Sequence, residues 1–148
     1  MSQSLVKINV HIVFSTKYRR PMIREELREK LQTYMVGTAA DLGSYVYELY
    51  ANPEHVHILC TLPKTMDVAD LVSKIKSSSS KWIKPEGVPY FRWARGYFAC
   101  SVSESVVPVV EKYILNQAEH HRKADFQDEY RGFLDENGME YDEEYVWD

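Results

Sequence analysis

The chain has 148 residues, 45% hydrophobic and 13% aromatic, with a formal net charge of −4. That length suits one domain with a real core, and that composition excludes a disordered chain. The sequence holds no run of 18 apolar residues and no signal-peptide pattern, so a soluble cytoplasmic protein with no membrane partner is expected.

The net charge hides an asymmetry. Residues 1–124 carry 17 Lys and Arg against 12 Asp and Glu, a balance of +5, whereas residues 125–148 carry one Arg against ten acids, a balance of −9. A mildly basic body, 1–124, therefore ends in an acidic extension, 125–148. Cys60 and Cys100 are far apart and outside any Cys-x-x-Cys pair, so buried free thiols are expected.

Residues 5–15 read as a strand, with Ile8, Val10, Ile12 and Phe14 on one face and Lys7, Asn9 and His11 on the other. His11 is expected to face solvent. The basic loop that follows, Thr16 to Pro21, carries Lys17, Tyr18, Arg19 and Arg20, cations for phosphates and an aromatic on which a base can stack. Leu27, Leu31, Tyr34, Met35, Ala39 and Leu42 have helical spacing, and Gly43 stops the run. Residues 44–51 alternate again, and Asn52-Pro53 turns that strand into the next, which suits antiparallel pairing.

The next strand opens with His55-Val56-His57. Side chains alternate along a strand, so both imidazoles project from one face while Val56, Ile58 and Cys60 point into an apolar layer. Two imidazoles on a rigid face can hold a divalent metal, although paired strand histidines also occur as plain hydrogen-bonding groups.

Asp67 caps a second helix in which Val68, Leu71, Val72, Ile75, Ser79, Trp82 and Ile83 form one stripe. Lys74, Ser78 and Lys81 fall on the opposite face, where small hydroxyls between lysines suit a phosphate backbone as well as they suit water. Residues 90–98 interleave aromatics with Arg92 and Arg95, a pattern equally suited to stacked bases and to core aromatics at a strand edge; a last strand is expected near 97–103. From Ser105 the pattern is helical, placing Tyr113 and Gln117 side by side four residues apart, with His120 a turn further on. Gln117 offers a neutral oxygen ligand and Tyr113 a nucleophile. In the extension, Phe126, Tyr130, Phe133 and Leu134 mark a short helix ending at Gly138.

Taken together, His55-Val56-His57, the stretch Tyr113-Ile114-Leu115-Asn116-Gln117, residues 11–20 and Arg95-Gly96-Tyr97-Phe98 resemble the single-tyrosine HUH transposases, the small transposase A enzymes of hairpin-ended insertion sequences. The resemblance spans roughly residues 5–123 and leaves the acidic extension without an assigned role. It implies an α+β fold, an antiparallel sheet with helices packed on it in a ferredoxin-like arrangement. It also implies a homodimer acting on single-stranded DNA with hairpin ends. By position, His55, His57 and Gln117 would bind Mg²⁺ or Mn²⁺, and Tyr113 would form a 5′-phosphotyrosine intermediate as a 3′-hydroxyl leaves. Because that link conserves the phosphodiester energy, rejoining needs no nucleotide cofactor. Imidazole-rich sites often favour zinc over magnesium, so the choice of Mg²⁺ or Mn²⁺ rests on the family. Two other functions fit the same residues: a host nickase acting on repeated hairpins, and a non-catalytic nucleic-acid-binding module. A histidine-triad hydrolase needs a third alternating histidine where Leu59 stands.

Overall fold

The structure is a computed structural model that describes residues 2–148. Four strands, β1 (Asn9–Ser15), β2 (Val46–Ala51), β3 (His55–Thr61) and β4 (Phe98–Val102), form one sheet in the order β2-β3-β1-β4, with every neighbouring pair antiparallel. Helix α1 (Glu25–Asp41) connects β1 to β2, and α2 (Val68–Ile83) connects β3 to β4. This β-α-β-β-α-β path is the ferredoxin-like arrangement expected of an α+β chain. Helix α3 (Val107–Leu115), α4 (Gln117–His120) and α5 (Phe126–Glu136) follow the last strand.

Alternation along the strands divides the sheet into two unlike faces. Val10, Ile12, Phe14, Val56, Ile58 and Cys60 join Leu27, Leu31 and Met35 of α1 and Leu71, Val72 and Ile75 of α2 in the main core. Asp67 accepts a hydrogen bond from the Asp70 amide at 2.7 Å, so α2 starts where its cap predicts. Ser79, the one polar member of the α2 stripe, is buried beneath Trp93 and accepts its indole N–H at 3.0 Å. Cys60 and Cys100 are free, and burial pushes the Cys60 thiol up to about 11.

The opposite face carries Asn9, His11, Val13, His55, His57 and Leu59. Leu59 packs with Val107 and Ile114 of α3, while Val13 and Phe98 pack with Phe126, Tyr130 and Leu134 of α5. The helices after β4 therefore cover the histidines.

Three sequence expectations change. The first strand starts at Asn9 rather than residue 5, because its partners run out: Asn9 pairs with Thr61 on one side and Val102 on the other, the last residues of β3 and β4. The helix expected from Ser105 onward is broken at Asn116, whose backbone leaves the helical region between α3 and α4. His11 is buried, not solvent-facing, because α5 lies over it and Phe133 meets its ring edge-on at 5.2 Å. No helix among the described residues is long and apolar enough to cross a membrane.

Candidate active site

His55 and His57 are fully buried and project from β3 towards α5. Phe126 stacks on the His55 ring at 4.2 Å between centroids, and Phe133 meets the His57 ring at 5.9 Å. Between these two aromatics α5 delivers Glu129, a carboxylate almost without solvent contact. Its Oε1 lies 3.2 Å from His55 Nε2, 3.1 Å from His57 Nε2 and 3.1 Å from His121 Nε2. Its Oε2 accepts from the Tyr113 hydroxyl and from Gln117 Nε2, the latter at 3.1 Å. Five residues from β3, α3 and the α4 segment thus converge on one carboxylate of α5.

The far side of each strand imidazole is also occupied. His55 Nδ1 donates to Glu54 Oε1 at 2.5 Å, and His57 Nδ1 faces His11 Nε2 at 2.9 Å. Such outer partners fix the ring orientations and aim both Nε2 atoms into the site. The Asn52 amide donates to Gln117 Oε1 at 3.1 Å and lies 3.0 Å from His55 Nε2, tying the β2–β3 turn to α4.

Burial and charge pull the titrating groups apart. Burial lowers the His57 imidazole to about 4 against the opposing pull of Glu129, and burial lowers His11 to about 3. At His55 burial acts in the same sense, but hydrogen bonds to Glu129 and Glu54 overcome it and leave the pKa raised. Burial alone would raise Glu129; the hydrogen bonds from His121, His55 and His57 outweigh it and hold the carboxyl ionised. Burial, reinforced by the Glu129 charge, raises the Tyr113 phenol, so this hydroxyl stays protonated.

The expected site residues are thus gathered in one chain: the Tyr113 ring is 5.8 Å from that of His57, and Gln117 is fully buried beside them. The basic loop leaves β1 next to His55, with the Thr16 amide donating to the Glu54 carbonyl at 2.9 Å. In it, Tyr18 is exposed and flanked by Lys17 and Arg20, at 5.1 and 5.3 Å from its ring. Lys17 pairs with Asp148 at 2.8 Å, and Arg19 lies over Trp147 at 5.4 Å. Arg92 and Arg95 are exposed on the same edge: the Lys17 amide donates to the Arg92 carbonyl, and the Gly96 amide to that of Asp148.

Lys74, Ser78 and Lys81 are not part of this gathering. Helix α2 covers the opposite face of the sheet, and Ser78 turns its hydroxyl towards Thr38 of α1 at 3.3 Å. Periodicity gave the exposed side of the helix but not the layer it occupies. The interleaved aromatics also divide, Phe91, Trp93 and Phe98 into packed clusters and Tyr90 and Tyr97 to the surface.

Sequence reasoning missed Glu129, His121, His11 and Glu54. For Glu129 a signal existed. It lies on the same arc of α5 as Phe126, Tyr130 and Phe133, and a carboxylate on an apolar stripe is the informative exception.

An antiparallel four-stranded sheet bearing a histidine pair under a tyrosine helix is the architecture of a histidine-pair (HUH) transposase. Residues 4–117 match the family described as IS200-like transposase, and the chain belongs to that family. Among curated relatives, the ISDra2 transposase TnpA of Deinococcus radiodurans is 25% identical over 118 residues, covering 75% of this chain and 84% of that protein. The transposase of insertion sequence IS200 from Salmonella typhimurium is 26% identical over 119 residues, covering 76% and 78%. Among solved structures, a transposase from Deinococcus radiodurans superposes with a TM-score of 0.62 at 23% identity, covering 79% of this chain and 98% of that one. A REP-associated tyrosine transposase bound to a REP hairpin superposes with a TM-score of 0.60 at 16% identity, covering 82% and 74%. At those identities the two structures speak for the fold.

Proposed function

We propose that this transposase cleaves and rejoins single-stranded DNA at hairpin ends through a 5′-phosphotyrosine link on Tyr113, with a divalent cation held by His55 and His57. The observation that carries the reading is that the Tyr113 hydroxyl and the Nε2 atoms of both histidines all reach one carboxylate group, that of Glu129. A nucleophile and a cation-binding pair so close together can address a single phosphodiester.

The residues fit a cation. Three Nε2 atoms and a carboxylate oxygen lie within 4.8 Å of one another, and two of the imidazoles are braced from behind by Glu54 and His11. When bound, Mg²⁺ or Mn²⁺ would supply a positive charge that polarises the phosphoryl oxygen and stabilises the departing one. Gln117 is the third ligand by resemblance. Here its amide oxygen accepts from Asn52 and its amide nitrogen donates to Glu129.

Tyr113 performs the attack. As its oxygen bonds to phosphorus, the phenolic proton passes along the existing hydrogen bond to Glu129 Oε2. The bond from phosphorus to the 3′-oxygen breaks, and that oxygen leaves as a hydroxyl with a proton from solvent. Attack on the phosphotyrosine by a 3′-hydroxyl reverses each step. Lys17, Tyr18, Arg19, Arg20, Arg92 and Arg95 line the edge beside His55 and are proposed to guide the strand. Lys74, Ser78 and Lys81, on the other layer, could meet only DNA that wraps around the molecule. The proximity of Tyr113 to His57 of its own chain supports attack within one subunit, and a homodimer would then serve to bring two DNA ends together.

The test is incubation of the full chain with hairpin-bearing single-stranded DNA and Mn²⁺, followed by denaturing electrophoresis. The wild type should give a covalent protein–DNA band and Tyr113→Phe none, while still shifting the DNA in a native gel. An adduct formed by Tyr113→Phe would remove this tyrosine from the role.

A further inference from the structure

Two donors at the site come from outside the stretch shared with the family. The family match ends at residue 117, yet His121 and Glu129 lie within the same cluster as His55 and His57. Resting on the reading that the histidine pair holds a cation, we propose that His121 and Glu129 are its remaining protein ligands. They would make a site of three imidazoles and one carboxylate that selects a transition metal of the Zn²⁺, Co²⁺ or Mn²⁺ class over Mg²⁺.

Three observations carry this. First, the carboxylate oxygen stands at a ligand-to-ligand distance from every imidazole. Four ligands at about 2.0–2.1 Å from a tetrahedral centre stand roughly 3.3–3.4 Å apart. Glu129 Oε1 is 3.2, 3.1 and 3.1 Å from the Nε2 atoms of His55, His57 and His121, and all four donor atoms lie within 4.8 Å of one another, so closing on an ion asks only for small shifts of the rings.

Second, the donors are aimed and immobilised. His55 and His57 present Nε2 because their Nδ1 atoms are engaged by Glu54 and His11. Glu129 presents Oε1 because its Oε2 is engaged by Tyr113 and Gln117. Asp125 caps α5 by accepting from the Asp128 amide at 2.9 Å, which sets the helix register that delivers Glu129.

Third, a lone carboxylate oxygen among three imidazole nitrogens leaves more ligand capacity than one anion can use, and all four side chains are mostly or wholly removed from water. Neutral nitrogen donors suit the later first-row metals, whereas Mg²⁺ takes oxygen ligands in an octahedron and keeps several waters. With one carboxylate, a divalent ion would retain a net positive charge for the phosphodiester, whose oxygen would have to enter as a fifth ligand when DNA binds. Gln117 then acts as a positioning residue for Glu129.

The experiment uses the full chain stripped of metal and titrated with Co²⁺, followed by visible absorption and calorimetry. Wild-type protein should develop the intense bands of four-coordinate Co²⁺, and a large excess of Mg²⁺ should fail to displace it. Glu129→Gln, which keeps the shape of the side chain, and His121→Gln, at a partly exposed turn, should each weaken Co²⁺ binding about tenfold or more and change the spectrum. Thermal melts of the metal-free variants identify any that fail to fold. If both variants bind Co²⁺ as the wild type does while His57→Ala abolishes binding, this ligand set is wrong and the histidine-pair reading stands. If His57→Ala also binds normally, the histidine-pair reading falls as well. Displacement by equimolar Mg²⁺ would overturn the selectivity.

Discussion

The two faces of the sheet are built from the same strands by alternate residues and have opposite characters. Val56 and Ile58 of β3 point into a core sealed by α1 and α2, where apolar packing is the only demand. Their neighbours His55 and His57 point the other way, under helices that bring Glu129, Tyr113, Gln117 and His121 to them. One face holds the fold together and the other holds charge and hydrogen bonds. A single step along the strand separates a stability residue from a chemical one.

Substitution on either side of that step should separate the two properties. His57→Ala should lower covalent adduct formation by about a thousandfold or more, the scale of losing an electrostatic stabiliser of a transition state, while shifting the denaturation midpoint less than its neighbour does. Ile58→Ala should cost about 2–5 kcal/mol of stability through the cavity it leaves, yet retain adduct formation at temperatures where the variant is folded. Denaturant melts and the adduct assay on both variants check the pair; equal losses of both properties would erase the distinction between the faces.

A smaller effect concerns the edge beside His55. Asp148 pairs with Lys17, and Trp147 lies under Arg19, so the acidic extension occupies cations proposed to meet DNA. Deleting residues 140–148, which leaves α5 in place, should strengthen binding of single-stranded DNA about tenfold at low salt and steepen its salt dependence. Asp148→Asn should move affinity in the same direction by less. Fluorescence anisotropy across a salt series measures both, and unchanged affinity with lost solubility would mean that the extension only packs.

The smallest effect is a pH trend. The His55 pKa is raised above 6.5 in the folded, metal-free chain. Its contribution to stability is therefore fully present below about 6.5 and is lost as pH rises through the folded value. Cation binding runs the other way, because the ion must displace the His55 proton: affinity should fall as pH drops below the raised value and level off above it. His57, lowered to about 4, stays neutral across this window. Melting curves of the metal-free chain and metal titrations between pH 5.5 and 8.5 should show these opposite slopes.

Much of this was legible in the sequence. Strand alternation gave the face shared by the histidines, the Asp67 cap placed α2, and the four-residue spacing brought Tyr113 and Gln117 to one side. What the residues could not give was contact over long separations. His11 reads as a solvent-facing strand residue until a helix more than a hundred residues later covers it. The lysines of α2 read as a binding face until the fold assigns that helix to the layer away from the histidines. Glu129 carried a local sign, its place among the apolar residues of α5, but nothing nearby in the chain revealed its partners.

The cap of α5 has a consequence beyond this molecule. A residue in an α-helix turns about 100° from its predecessor, so one amino acid inserted or lost between Asp125 and Glu129 would swing the carboxylate out of reach of every imidazole. The run His121 to Glu129 is therefore a ruler. Among sister transposases, those preserving an acid four places after the capping aspartate, behind a histidine at this offset, should share the metal preference argued for this chain. Those with a different spacing must complete their coordination by other means.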